Sequence, residues 1–165
     1  MGASVYGASL LFSAVKGAPY VPTSKKQLEK IFKKYTLKKG GQFVELGSGD
    51  GRLTRFAVKA FGVKGIGIEV NPLLVWWSKF LSLRDGTSAH TQFLRMNIFD
   101  YPLNKVDYLY LFLMPELIVK LLPKFKNELK KGTVIISHGF KLKGYEKKLF
   151  HTEPDTSFST FYYKI

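Results

Sequence analysis

Apolar residues along this chain follow two spacings, one typical of buried strands and one typical of helices that cover a sheet. Short apolar runs at 42–46 and 106–113 are predicted strands, because parallel strands buried on both faces are apolar throughout. Between such runs, apolar positions recur every three or four residues, which indicates amphipathic helices. The first helical stripe contains Leu28, Ile31, Phe32 and Tyr35. The pattern therefore predicts strands that alternate with helices.

Five apolar runs are predicted to be strands, and the C-terminus adds an antiparallel pair at 147–153 and 158–165. The five runs lie at 42–46, 65–70, 91–96, 106–113 and 132–138. Strands separated by helices form parallel sheets through right-handed crossovers. The predicted fold class is therefore α/β, with a doubly wound sheet whose ligand lies beyond the carboxyl ends of the strands.

Three helix starts carry their own local signals. Ser24 and Gln27 have the spacing of a capping box, which predicts a helix over the first stripe. After the first strand, a helix is predicted with Leu53, Phe56, Ala57 and Ala60 facing inward. Asn71 is a suitable N-cap and Pro72 a suitable first residue for the helix that follows the second strand.

The length of 165 residues fits one domain. We expect an apolar N-terminal segment with a proline turn at 1–22 and a single domain at 23–165. The chain has no cysteine, which excludes disulfides and thiolate metal sites. Its three histidines are scattered, so no metal site is predicted.

A net charge of +14 is the unusual feature of the composition, and its lysines concentrate at 16–39 and 120–148. Such a surface attracts nucleic acid, anionic lipid or an acidic protein, although solvated lysine-rich helices explain it equally well. The uncharged stretch before Lys16 is shorter than the about 20 residues that span a bilayer, and it lacks the basic region of a signal peptide. A cytoplasmic location is expected, with membrane association as an open alternative.

The stretch FVELGSGDGRL at 43–53 places a glycine turn between the first strand and a helix. Its spacing is G-x-G-x-G, whereas a dinucleotide site has G-x-G-x-x-G and holds a pyrophosphate on the helix N-terminus. Glu45 and Asp50 flank the glycines and would repel a pyrophosphate. Two carboxylates suit a ligand that carries an ammonium and a sulfonium, and S-adenosylmethionine is such a ligand.

Residues at the ends of the next two strands support this interpretation. Glu69 ends the second strand, where a carboxylate accepts hydrogen bonds from both hydroxyls of a ribose. Asn97 follows the third strand and is a candidate partner for the adenine, with Ile98 packed on the face of that base. The alternative is that Glu69 and Asn97 are ordinary cap or loop residues.

From Pro19 to about Leu149 the chain resembles the class I, or seven-β-strand, methyltransferases. It is most similar to a lysine methyltransferase subgroup whose eukaryotic members modify the c subunit of ATP synthase and the adenine nucleotide translocase. The motifs that carry the resemblance are PYVPT, ELGSGDGR and EVNPLLVWWS, with FLMPEL as a weaker fourth. The resemblance implies a Rossmann-like seven-stranded sheet, mostly parallel, with one antiparallel strand near the C-terminus.

The resemblance also implies roles for individual residues. The methionine part of the cofactor would contact Glu45, Gly47, Ser48, Gly49, Asp50 and Gly51, and Val70 would adjoin the ribose-binding Glu69. Asn71, Trp76 and Trp77 match the signature helix, whose start should face the methyl-transfer site. The chain departs from the family pattern at three positions, because Glu45 and Asn97 replace aspartate and Glu116 replaces glutamine.

A lysine methyltransferase needs a neutral amine, although free lysine has a pKa of about 10.4. Glu116, just after the fourth strand, is the candidate acceptor for the amine proton. Tyr20, Trp76 and Trp77 are candidates for lining a lysine channel through cation–π contacts. Core packing explains the aromatic residues equally well, and Glu116 also suits the first turn of a helix.

The predicted function is S-adenosylmethionine-dependent protein lysine N-methylation, with a membrane-protein substrate such as the c subunit of ATP synthase. Three alternatives remain open at this point. They are a nucleotide-dependent oxidoreductase, a methyltransferase that acts on RNA, and a non-catalytic module that binds S-adenosylmethionine. Nucleic acid is the less favoured partner, because the chain carries no N-P-P-Y-type sequence after the fourth strand and no basic RNA-binding appendage.

Overall fold

A computed structural model describes residues 25–33 and 35–165 of the protein. Its strands are β1 (Gln42–Leu46), β2 (Lys64–Glu69), β3 (Thr91–Arg95), β4 (Tyr108–Leu111), β5 (Val134–His138), β6 (Leu149–Glu153) and β7 (Thr160–Lys164). Its helices are α1 (Lys25–Lys33), α2 (Arg52–Phe61), α3 (Pro72–Arg84) and α4 (Pro115–Glu128), with short 3-10 turns at Ser88–His90 and Glu146–Lys148. The predicted N-terminal segment at 1–22 and the capping residue Ser24 lie outside the described residues.

All the described strands belong to one seven-stranded sheet with the order β3-β2-β1-β4-β5-β7-β6. The first five strands are mutually parallel, and β7 runs antiparallel to both β5 and β6. The doubly wound, mostly parallel sheet with one antiparallel strand is therefore confirmed. The order reverses between β1 and β4, so the carboxyl end of β1 lies at the switch point where ligands bind in such sheets.

Helices cover both faces of the sheet. Helices α2 and α3 lie on the same face, because Arg55 forms an ion pair with Asp85 and Ser78 donates to the carbonyl of Gly49. Helix α1 joins them through Leu28, Ile31 and Phe32, which are buried in the same core cluster as α2. Helix α4 covers the opposite face through Ile118, Leu121 and Phe125.

The inward face of α2 differs from the prediction at one position. Leu53 and Ala57 are buried as expected, whereas Ala60 is exposed. The buried side of this helix also includes Thr54 and Val58. In the next turn this side continues at position 61, so position 60 falls on the exposed side. Phe56 is half-buried and stacks on Phe32 at a ring distance of 5.8 Å.

The N-cap predicted for α3 is confirmed, because the Asn71 side chain accepts a hydrogen bond from the backbone N–H of Leu73. Pro72 occupies the first helical position. Within the described part of the chain, no helix is both long enough and apolar enough to cross a membrane.

Candidate active site at the carboxyl edge of the sheet

The glycine turn connects β1 to α2 at the switch point of the sheet. Gly47, Gly49 and Gly51 have positive φ angles of 76°, 54° and 69°, in a region that side chains disfavour. Space at Gly51 is also closed, since a Cβ there would lie 2.3 Å from the Phe93 ring and 3.0 Å from the Ser78 hydroxyl. Only glycine therefore fits this position.

Backbone N–H groups of the turn are bonded within the protein. Gly47 and Ser48 both donate to the carbonyl of Ile68 at 2.9 Å, and Gly51 donates to the carbonyl of Ser48 at 2.8 Å. Gly49 donates to the Glu69 carboxylate at 3.0 Å. A phosphate-binding turn leaves such N–H groups pointing at the ligand. These four N–H groups already have partners within the protein, so they are not available to a phosphate.

The two acids that flank the glycines cap the start of α2. Asp50 Oδ1 accepts from the N–H of Arg52 at 3.0 Å, and Glu45 Oε2 accepts from the N–H of Thr54 at 3.0 Å. The Thr54 hydroxyl also donates to Glu45 Oε2, at 2.5 Å. The Asp50 carboxylate thereby complements the positive end of the helix dipole, and Glu45 supplies a further acceptor for the first turn. They occupy the place where a dinucleotide site would hold its pyrophosphate.

Glu45 is buried in the centre of the sheet, opposite Gly67 of β2 and Tyr110 of β4. Burial, with a smaller contribution from the nearby Asp50, raises the pKa of its carboxyl group from 4.5 to about 8 despite the lowering effects of Thr54 and Arg55. Burial likewise raises the pKa of the Tyr110 phenol. Among the described residues the Tyr110 hydroxyl has no hydrogen-bond partner.

Glu69 joins the glycine turn to the start of α3. Its Oε2 accepts from Gly49 and its Oε1 accepts from the N–H of Asn71 at 2.8 Å. A carboxylate offers about four acceptor sites, so this half-buried group retains capacity for ligand hydroxyls. Asn71 is buried, and its Nδ2, like the Ser48 hydroxyl, has no partner in the described part of the chain. A ligand at this edge would supply such partners.

The residues predicted around the adenine lie at the same edge, beyond β2 and β3. Asn97 is exposed, and its side-chain oxygen accepts from the N–H of Phe99 at 3.1 Å. Ile98 is half-buried and packs against the core, while Val70 is exposed beside Glu69. The assigned contacts of all the cofactor residues with the ligand stay predictions.

The residues predicted for the methyl acceptor are more widely separated. Glu116 is exposed in the first turn of α4, and Tyr20 lies outside the described residues. The loop before α4 lies against the glycine turn, because a Cβ at Gly47 would be 3.0 Å from the Leu113 side chain. Trp76 is exposed, and among the described residues the rings of Trp76 and Trp77 contact each other and Phe80, along the outside of α3. The lysine channel stays a prediction.

Two buried residues at the site were not predicted. Thr54 donates a hydrogen bond to Glu45. In the sequence, only its position in the first turn of the predicted helix could have indicated this role. His138 ends β5 at the same edge, where its Nδ1 lies 2.8 Å from the Thr160 hydroxyl and its ring contacts Phe112 and Phe158. Burial lowers the pKa of His138 from 6.5 to about 4, with Asp155 opposing the shift. No group of His, Asp or Glu side chains in the described part is placed to hold a metal ion.

Comparison with known proteins identifies the family. Residues 45–148 match the family model described as the ANTKMT methyltransferase domain. The chain belongs to this family. The resemblance predicted from the glycine turn and the NPLLVWWS helix is thereby confirmed.

Individual members of the ANTKMT methyltransferase domain family show how far the likeness extends. The chain is 32% identical over 122 residues to the lysine N-methyltransferase of the ATP synthase C subunit from Xenopus laevis, covering 74% of this chain and 53% of that one. It is 29% identical over 137 residues to a protein-lysine N-methyltransferase of Saccharolobus islandicus (strain REY15A), covering 82% and 85%. The chain thus spans about half the length of the Xenopus relative.

A solved structure resembles most of this chain. The crystal structure of an RNA methyltransferase from Salinibacter ruber in complex with S-adenosyl-L-homocysteine matches with a TM-score of 0.82 at 26% identity. The match covers 88% of this chain and 94% of that chain. The overall architecture is therefore that of a methyltransferase.

Proposed function

We propose that the protein transfers a methyl group from S-adenosylmethionine to a lysine of a protein substrate. The observation that carries the cofactor assignment is the hydrogen bonding of the glycine turn. Its N–H groups are used within the protein, the Asp50 and Glu69 carboxylates lie beside it, and the buried acid group of Glu45 binds Thr54 of α2. This arrangement disfavours a phosphate ligand and favours a cationic one. Membership of a methyltransferase family and the names of the relatives support the same assignment.

The residues present fit this cofactor. Glu69 keeps acceptor capacity for ribose hydroxyls, and the buried Nδ2 of Asn71 is a donor without a partner among the described residues. Asn97 and Ile98 are assigned to the adenine, and the glycine turn to the methionine part. When bound, the cofactor supplies a methyl group on a sulfonium. The protein holds the two reactants in line, which is the main catalytic contribution in such a displacement.

On the acceptor side, the protein must hold a lysine in its neutral form. Glu116 is our candidate acceptor for the amine proton, because it lies on α4 next to the loop that contacts the glycine turn. Its exposed carboxylate exchanges that proton with solvent after each transfer. The role of Glu116 is distinguishable from cofactor binding, since it lies on a different element from Glu69.

Calorimetry tests the cofactor assignment. S-adenosylhomocysteine should bind and NAD should not, and Glu69→Gln should weaken S-adenosylhomocysteine binding by about 10-fold to 100-fold, as expected for a charge-assisted hydrogen bond. Asp100→Asn, which removes an exposed carboxylate outside this network, is the matched control. Binding of NAD, or equal affinity in Glu69→Gln and wild type, would refute the assignment.

A second candidate acceptor is RNA, favoured by the name of the Salinibacter relative and by the net charge of +14. Incubation of the protein with cofactor labelled in its methyl group and a cell lysate separates the two. For the proposed function, label is removed by protease and is recovered as methyl-lysine after acid hydrolysis. Label removed by ribonuclease and recovered in methylated nucleosides would establish the alternative instead.

The finer proposal is a membrane-protein substrate such as the c subunit of ATP synthase. It rests on the name of the Xenopus relative and on the lysines at 16–39, which suit an anionic bilayer surface. The purified c subunit of ATP synthase, reconstituted in anionic vesicles, should be methylated faster than the soluble proteins of a cell lysate. Equal or preferential labelling of soluble proteins would contradict this substrate class.

A further inference from the structure

Helix α3 carries large apolar side chains on its outer surface. Leu73, Trp76, Phe80 and Leu83 are 51%, 64%, 45% and 69% exposed, and Trp77 is half-buried beside them. These five residues are named the aromatic stripe here. They follow the spacing of one helical face and run the length of the helix from its second residue. A soluble surface rarely exposes so many large apolar residues side by side.

The three rings of the aromatic stripe form one continuous surface. Trp76 and Phe80 stack with ring centroids 6.1 Å apart and an interplanar angle of 11°, and Trp77 and Phe80 stack at 5.3 Å and 23°. The side of α3 that faces the sheet contains two buried serines, Ser78 and Ser82, among its apolar residues. The helix therefore directs its aromatic rings outward and these small polar residues inward, which indicates that something else contacts the stripe.

The surroundings of the aromatic stripe are basic. Lys79 and Arg84 are exposed on α3 itself, where Arg84 is paired with Asp85, and the neighbouring α2 exposes Lys59. With a net charge of +14, two copies of the chain that met at this face would bring like charges together. An anionic bilayer instead complements both features, because interfacial helices combine Trp, Phe and Leu with Lys and Arg. Tryptophan also prefers the headgroup level of a bilayer.

We propose that the aromatic stripe of α3 docks the protein on an anionic lipid surface. The stripe begins at Leu73, two residues after Asn71, so docking brings the candidate active site to the bilayer. This inference extends the proposed membrane-protein substrate, but it concerns lipid binding alone and is tested without methyl transfer. The lysines at 16–39, which support that substrate proposal, are not used in this inference.

The sequence supplies its own reporter for this surface. Trp76 and Trp77 are the 2 tryptophans of the chain, so all tryptophan emission comes from the aromatic stripe. Vesicles that contain phosphatidylglycerol should shift this emission to shorter wavelength and sediment the protein, and vesicles of phosphatidylcholine alone should bind it at least 10-fold more weakly. Lipids brominated in their acyl chains should quench the emission. High salt should weaken the binding, because the basic residues contribute to it.

Variants separate the aromatic stripe from nonspecific adsorption. Phe80→Ser with Leu83→Ser leaves both tryptophans in place and should weaken vesicle binding by at least 10-fold. Val119→Ser is the matched control, because Val119 is 57% exposed on α4, on the opposite face of the sheet. Wild type and both variants should bind S-adenosylhomocysteine equally. This measurement verifies their fold and separates a failure of lipid docking from a failure of the proposed function.

Results of three kinds would overturn the inference. The first kind is a failure of the lipid measurements, either unchanged tryptophan emission with phosphatidylglycerol vesicles or equal loss of binding in Val119→Ser. The second is emission that shifts with protein concentration without lipid, which would assign the stripe to a second copy. The third is emission that is already at short wavelength without lipid and shifts to longer wavelength when residues 1–15 are deleted, which would assign the stripe to that segment.

Discussion

Replacing Glu45 by glutamine removes an ionisable group from the centre of the sheet while keeping an acceptor oxygen for Thr54. In the folded protein Glu45 is 6% exposed, and both Thr54 donors bind the same carboxylate oxygen. Two effects compete there. Burial favours the protonated acid, and the Thr54 hydrogen bonds favour the ionised one. Burial is the larger, so the pKa of Glu45 rises from 4.5 to about 8.

The sign of the pH effect follows from proton binding. Between pH 4.5 and about 8 the folded protein keeps the Glu45 proton and the unfolded chain has lost it, so the contribution of Glu45 to the free energy of unfolding falls as pH rises through this window. One proton corresponds to about 1.4 kcal/mol per pH unit. Wild type should therefore lose roughly 2 to 3 kcal/mol of stability from this group between pH 5 and pH 7. The Glu45→Gln variant should not show this pH-dependent loss of stability.

Urea unfolding of both proteins at several pH values between about 5 and about 8 measures the effect. The stability of Glu45→Gln relative to wild type should increase steadily with pH across the window, whatever the fixed difference between the two side chains. Asp100→Asn controls for the change in net charge. Parallel stability curves for Glu45→Gln and wild type would show that Glu45 is ionised in the folded protein, and the argument from burial would then be wrong.

Three further changes test other parts of the site by urea unfolding. Gly51→Ala should destabilise the protein by at least about 2 kcal/mol more than Gly86→Ala, because both glycines have φ near 70° but only Gly51 faces the Phe93 ring; equal losses would contradict the close packing. Tyr110→Phe should be neutral or stabilising, because the Tyr110 hydroxyl has no hydrogen-bond partner in the described part of the chain. Tyr162→Phe should instead lower the free energy of unfolding by about 1 kcal/mol, because it removes the hydrogen bond to the carbonyl of Ile31. A loss of stability in Tyr110→Phe would reveal an unrecognised partner. Relative to wild type, His138→Gln should gain stability as pH falls from 6.5 to about 4, because folded wild type must keep a buried imidazole neutral there. A constant stability difference between the two proteins over this range would contradict the prediction.

The parts of the fold that local chemistry specifies could be predicted from the sequence. Each strand was found from a short apolar run, and the start of α3 from an N-cap followed by proline. Asn71 and Pro72 act within one helical turn, so no tertiary information was needed. The predicted strand at 106–113 was longer than β4, because its first residues belong to a turn in which the Asp107 carboxylate binds the N–H of Gln42.

Contacts between distant segments could not be predicted in the same way. The sequence indicates that Glu45 and Asp50 flank the turn, but only the register of β1 under α2 brings Glu45 to Thr54. Helix α3 is apolar on nearly every side, so its sequence alone does not say which residues face the sheet. The outward position of Trp76 results from the packing of Ser78 against the glycine turn.

Glu45 and His138 together determine the shape of the stability curve near neutral pH. Between about pH 4.5 and 6.5 the unfolded chain binds the extra proton at His138 and the folded protein binds the extra proton at Glu45, so the two slopes cancel. Above pH 6.5 only Glu45 contributes, and stability should fall by about 2 kcal/mol up to pH 8. The two groups lie on β1 and β5, with β4 between them, so their effects should add. Glu45→Gln should then gain stability from pH 4.5 to 6.5 and stay level above it, His138→Gln should lose stability throughout the window, and the double variant should show neither slope.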